Sequence, residues 1–133
     1  MRDFVIRYLA TGVILAVLDA IWLVVVANRF YKSQIGELLL ARPNFVAAVV
    51  FYLIYVAGVV AFVVSPAVER QSWLYALGYG ALLGLFAYAT YDLTNLATIR
   101  GFTLTVVIVD LIWGVVLTSS VSVLAYLIAS QFR

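Results

Sequence analysis

The chain has 133 residues, 67% of them hydrophobic and 11% charged, with a formal net charge of +2 and a mean hydropathy of +1.17. Soluble domains run at about 45–50% apolar and about 25% charged, so this is the composition of an integral membrane protein with no room for an extramembrane globular domain. The absence of cysteine and histidine excludes disulfides, thiolate centres and the usual haem, copper and zinc ligands, and the lack of a basic cluster excludes nucleic acid as a partner.

The first apolar run predicts a membrane helix over residues 4–27. Arg2 and Arg7 ahead of it resemble the start of a secretory leader. Residues 8–27 are nevertheless long enough to cross a ~30 Å hydrocarbon core, and no small-x-small cleavage site precedes Asn28, so the reading is a retained span. Within it VLDAIW, residues 17–22, sets Asp19 in a stretch with no other charge, and Trp22 follows at i+3 on the same face.

In the connection over residues 28–44, Tyr31, Ile35, Leu38 and Leu39 recur at i, i+4, i+7 and i+8, one apolar helical face. Surrounded by Arg29, Lys32, Glu37 and Arg42, it reads as a short amphipathic helix lying in the interface, with Gly36 interrupting the pattern. Lys32 is the sole lysine, and its place in a connection argues against an intramembrane Schiff base.

The second run predicts a helix over residues 45–65, between Arg42-Pro43-Asn44 and a break at Ser65-Pro66. It has no charge between Arg42 and Glu69 and reads as scaffold. Tyr52 and Tyr55 could line a cavity or bond an acid, although most tyrosines at such positions only pack.

The third helix is expected over residues 73–96, with Trp73 and Tyr75 at headgroup level. It carries YATYDLTNLATIRG, in which Tyr88, Asp92 and Asn95 fall at i, i+4 and i+7, and Gly80 and Gly84 continue the stripe as a GxxxG pair suited to close helix packing. After Arg100-Gly101 the fourth helix is expected over residues 103–130, and VDLIW, residues 109–113, repeats the Asp-x-Ile-Trp pattern with Asp110 and Trp113.

Depth connects the three acids. Asp19 lies ten residues before Arg29, Asp92 eight before Arg100 and Asp110 ten after it, so at ~1.5 Å per residue all three sit about 12–15 Å below one polar boundary. An acid at mid-depth costs about 2.5–3.5 kcal/mol on insertion scales, so the faces bearing these acids should turn inward, away from lipid. An inverted repeat does not account for the two Asp-x-Ile-Trp stretches, because Asp19 comes late in its helix and Asp110 early.

The favoured reading is a proton- or cation-binding site formed by Asp19, Asp92, Asn95 and Asp110 with Tyr88, Trp22 and Trp113, flanked by the interface charges Arg29, Lys32 and Arg100. It is coupled to passage of a small solute and needs no cofactor. Two alternatives stay open. The acids could hold Mg²⁺ or Mn²⁺ in a lipid-modifying enzyme acting on a lipid headgroup, a reading weakened by the lack of an Asp-x-x-x-Asp pair. They could instead be hydrogen-bonded staples in a non-catalytic membrane subunit.

The expected fold is an all-α membrane protein, residues 1–133 forming a single integral membrane domain of four transmembrane helices in a compact antiparallel bundle. Both termini fall on one side. Arg2, Arg7, Arg70 and Arg133 on that side balance Arg29, Lys32, Arg42 and Arg100 on the other, so only the N-terminal amine favours cytoplasmic termini. Four helices enclose little volume, and a pathway implies a homo-oligomer.

Taken together, LDAIWL, NRFYKSQIG, FYLIYVAG, YATYDLTNLATIRGFTL and VDLIWGVVLT resemble the bacterial membrane family catalogued as domain of unknown function 2177. The resemblance spans nearly the whole chain, and YATYDLTNLATIRG is its most specific piece. It implies a four-helix inner-membrane protein with a shared polar site at Asp19, Asp92, Asn95 and Asp110, and supplies no activity. Phe102 stands where the family favours tryptophan, a conservative aromatic change.

Overall fold

The computed structural model describes residues 1–132; Arg133, counted above among the charges beside the termini, lies outside them. Among the described residues four helices are long and apolar enough to cross a membrane: α1 (Arg2–Leu38), α2 (Phe45–Arg70), α3 (Trp73–Thr98) and α4 (Leu104–Ser130). Three of their starts carry side-chain caps. Asn44 accepts from the Ala47 amide at 3.1 Å, Ser72 from Tyr75 at 3.0 Å and Thr103 from Val106 at 3.2 Å, each satisfying an amide that has no partner inside its helix. The turn from α3 to α4 uses Gly101 at φ 85°, a conformation costly for any residue with a Cβ.

Two helices run further than punctuation suggests. α1 does not stop at Asn28. It takes one π-helical turn at Leu23–Ala27, resumes as α-helix over Asn28–Ile35 and ends in a 3₁₀ turn at Gly36–Leu38. The amphipathic segment is therefore the last part of α1, and Tyr31 and Ile35 of its apolar face turn inward while Leu38 and Leu39 stay exposed: Ile35 packs with Phe102, Val106 and Val107 at the start of α4, and Thr103 Oγ1 donates to Gln34 Oε1 at 3.3 Å.

The break expected at Ser65-Pro66 is absent, and α2 continues to Arg70. A π-helical turn at Val60–Val64 immediately precedes the proline and loosens the ladder where its missing N–H and its ring would otherwise clash. The same turn serves packing. Buried pairs recur every four residues from Tyr55 and Val56 through Val59, Val60, Val63 and Val64 to Ala67 and Val68, a period an uninterrupted α-helix would carry off its face.

α3 and α4 pack along most of their length because glycines let the backbones meet. A Cβ on Gly84 would collide with the Gly114 carbonyl, and one on Gly80 would come within 3.0 Å of Ser119 and Ser122. α1 lies on α4, and α2 contacts α3 and α4 mainly through its π turn and C-terminal part. The main core gathers at the terminal end, with Leu15, Val59, Val60, Val64, Leu117 and Val121 among its buried members. A smaller one closes the opposite end around Ile35 and Phe102. Between them the N-terminal half of α2 leans chiefly on α1, and the space this leaves holds the polar residues.

Candidate functional site

A cavity of about 880 Å³ opens between the four helices under the α1–α2 connection. Its inner wall carries Asp19 and Asp110, its rim carries Lys32, and the predicted face of Tyr31, Ile35, Leu38 and Leu39 borders it along its whole length.

Each lining acid is held by donors from other helices. Asp19, 8% exposed, accepts one hydrogen bond from the Tyr52 hydroxyl and one from Trp113 Nε1 at 3.2 Å. Asp110 accepts from the Tyr31 hydroxyl. The two Asp-x-Ile-Trp stretches therefore cross: the indole one turn from Asp110 serves Asp19, and Trp22 stacks on Trp113 with ring centroids 4.4 Å apart and planes inclined by 6°. Placing every donor on a partner helix couples the acids to the packing of α1, α2 and α4.

Helical phase explains how Tyr31 arrives. In an uninterrupted α-helix Tyr31, twelve residues after Asp19, would point about 120° away from it. The π turn between them absorbs one residue, about 100° of rotation, and returns Tyr31 to within about 20° of the Asp19 face.

Asp92 sits differently. It is 0% exposed and lies behind the cavity wall; no hydroxyl, amide or indole donor among the described residues reaches its carboxyl oxygens, and the group it interacts with is the Asp110 carboxyl, within hydrogen-bonding reach. Its expected companions serve other neighbours. Tyr88 lines the cavity, packs its ring on Gly114 and stands within electrostatic reach of Asp19 and Asp110, while Asn95 lies half-buried beside Tyr91. Lys32 borders the cavity, and Arg29 and Arg100 are exposed outside it. Tyr55 bonds Thr118 Oγ1 at 2.7 Å as part of the buried core.

The arrangement can bind positive charge. Two carboxyls converge on one space walled by Trp22, Tyr31, Tyr52, Tyr88, Tyr91 and Trp113, whose ring faces attract cations. Among the described residues no group of three or more His, Cys, Asp or Glu side chains gathers around one point. Tyr31 and Tyr52 are the site residues that sequence reasoning ranked too low. Tyr52 carried a signal as a polar side chain on an otherwise scaffold helix, whereas Tyr31 carried none beyond its place on the apolar face.

The family described as "Predicted membrane protein (DUF2177)" matches residues 4–127. No curated protein and no solved structure matches the chain.

Proposed function

The chain belongs to the DUF2177 family of predicted membrane proteins, and from that premise we propose that it binds a cation against Asp19 and Asp110 and couples that binding to proton movement through Asp92 and to passage of a small solute. The observation that carries this reading is the convergence of two donor-held carboxyls on one cavity inside membrane-spanning helices, with a third acid, Asp92, buried behind and set against Asp110. Acids are kept at such depth where they serve ion or proton pathways. In this scheme Tyr52, Trp113 and Tyr31 hold the two lining carboxyls in place, and a cation entering beside Asp110 changes the field at Asp92 and releases its proton.

The cavity is bounded toward the termini by the main core, which supports a carrier that alternates or a homo-oligomer that completes the path. This reading takes the chain as a bacterial inner-membrane protein with cytoplasmic termini, an orientation supported by the N-terminal amine where the arginines and lysines of the two sides balance. The metal-enzyme alternative would have to rest on fewer than three clustered carboxylates, since among the described residues no larger group gathers, and the staple alternative gives no reason to set Asp92 against another acid, Asp110.

The test is reconstitution in liposomes carrying a pH-sensitive dye, with Na⁺, K⁺ and tetramethylammonium as probes. One of these should drive proton movement in the native protein. Asp19→Asn and Asp110→Asn should lose cation binding, and Asp92→Asn should keep binding but lose proton movement. Flux and binding unchanged in all three variants would overturn the proposal.

A further inference from the structure

A second cavity touches the first. It is a groove of about 300 Å³ on the outer side of α1 and α2, and it shares Asp19, Leu23 and Tyr52 with the polar cavity. Gly12, Ala16 and Ala20, at i, i+4 and i+8 on α1, form its floor, and Val49, Leu53 and Val56 on α2 form its wall. The Tyr8 hydroxyl bonds the Leu53 carbonyl at 2.8 Å beside its far end. Apart from Asp19 and two phenols the lining is aliphatic. From Tyr8 to Leu23 it follows fifteen residues of α1, about 22 Å at ~1.5 Å per residue, a length suited to an alkyl chain.

Resting on the cation-site reading, we infer that the ligand is an amphiphilic organic cation drawn from the bilayer, a long-chain amine or quaternary ammonium whose head lies against Asp19, Asp110 and the Trp22–Trp113 stack and whose chain lies in the groove between α1 and α2. Three features select this chemistry. The head space is walled by aromatic rings, which suit a weakly hydrated organic cation better than a metal ion that needs convergent oxygens. Its volume, about 880 Å³, falls in the range of small-molecule sites. The apolar groove ends at a carboxyl, so one amphiphile satisfies both chemistries at the point where they meet. An anionic head would face Asp19 and Asp110 and find only Lys32, out at the rim.

The 133-residue chain carrying Trp73→Phe, in nanodiscs of neutral lipid, retains Trp22 and Trp113 as a fluorescence reporter of the head site. Dodecyltrimethylammonium, tetramethylammonium and dodecyl sulfate are titrated in turn. Membrane partition alone raises the local concentration of any amphiphile, so the decisive comparison is a groove variant. Ala16 and Ala20 are exposed on the groove floor, so Ala16→Phe and Ala20→Phe fill the groove without displacing a buried core side chain. Each should leave tetramethylammonium titrations unchanged and weaken dodecyltrimethylammonium by about tenfold, the effect of losing roughly two buried methylenes. Asp19→Asn should weaken both cations, and dodecyl sulfate should give no saturable change. An affinity gap between the two cations that survives both groove variants overturns this inference and leaves the cation site standing. No saturable response to either cation overturns both.

Discussion

Asp19, buried but for its edge on the cavity, is held because Tyr52 and Trp113 reach it from two other helices, and a mostly buried carboxyl depends on such donors. Tyr52→Phe or Trp113→Phe alone leaves one donor and should cost about 0.5–2 kcal/mol, the usual worth of a hydrogen bond within a membrane protein. The double variant leaves the acid with neither and should cost more than the sum of the two. A double-mutant cycle of unfolding in mixed micelles, followed by far-ultraviolet circular dichroism, measures the coupling; simple additivity would mean that Asp19 gains nothing specific from the pair. Glycine contacts give a second test at this scale. Gly84→Ala pushes a methyl into the Gly114 backbone and Gly114→Ala pushes one into the Tyr88 ring, so each should destabilise by about 1–3 kcal/mol. Gly78→Ala meets nothing within 4 Å and should stay within about 0.5 kcal/mol of the native protein in the same assay.

At the scale of elements, the π turn at Leu23–Ala27 sets the phase that brings Tyr31 and Ile35 to the cavity. Its Val24 and Val25 are 77% and 69% exposed, so removing one disturbs no core contact. Deleting Val25 should convert the π turn to plain α-helix and keep the downstream face in register, whereas inserting an alanine after Val25 should rotate that face by about 100°. The chain has no cysteine of its own, so Ile35→Cys can report on the phase. A water-soluble maleimide should react slowly with it in the native and deletion backgrounds and quickly in the insertion. Rapid reaction in the deletion would show that the π turn does not set the phase. The same element marks what could be read from sequence. Four apolar runs and the packing of Gly80 and Gly84 follow from composition and spacing. The continuation of α1 past Asn28 and of α2 through Pro66 does not, because a π turn leaves no composition mark and lipid-embedded backbone keeps its helical bonds wherever it can. Periodicity also shows which face an acid occupies but not which helix supplies its donor, so Trp113 could be placed beside Asp110 on its own helix while its bond to Asp19 stayed hidden.

For the molecule as a whole, the cavity has a polar mouth toward the α1–α2 connection. Lys32, Ala41 and Pro43 border that mouth, and the opposite end is filled by Leu15, Leu117, Val121 and the Tyr55–Thr118 bond. Water and small ions should therefore reach Asp19 and Asp110 from the α1–α2 connection and not from the side of the termini. Ala27 lines the cavity at 5% exposure, and Ala125 lies in the sealed half at 0%. A membrane-impermeant trimethylammonium-bearing thiosulfonate should modify Ala27→Cys when added on the connection side and spare it when added on the other. Ala125→Cys should react from neither side. Excess tetramethylammonium should slow the reaction at Ala27→Cys, because the reagent's own head is then competing for the aromatic wall and the two carboxyls. Equal reaction at Ala27→Cys from both faces, in vesicles of verified single orientation, would reveal a continuous pore and replace the one-sided binding pocket with a channel.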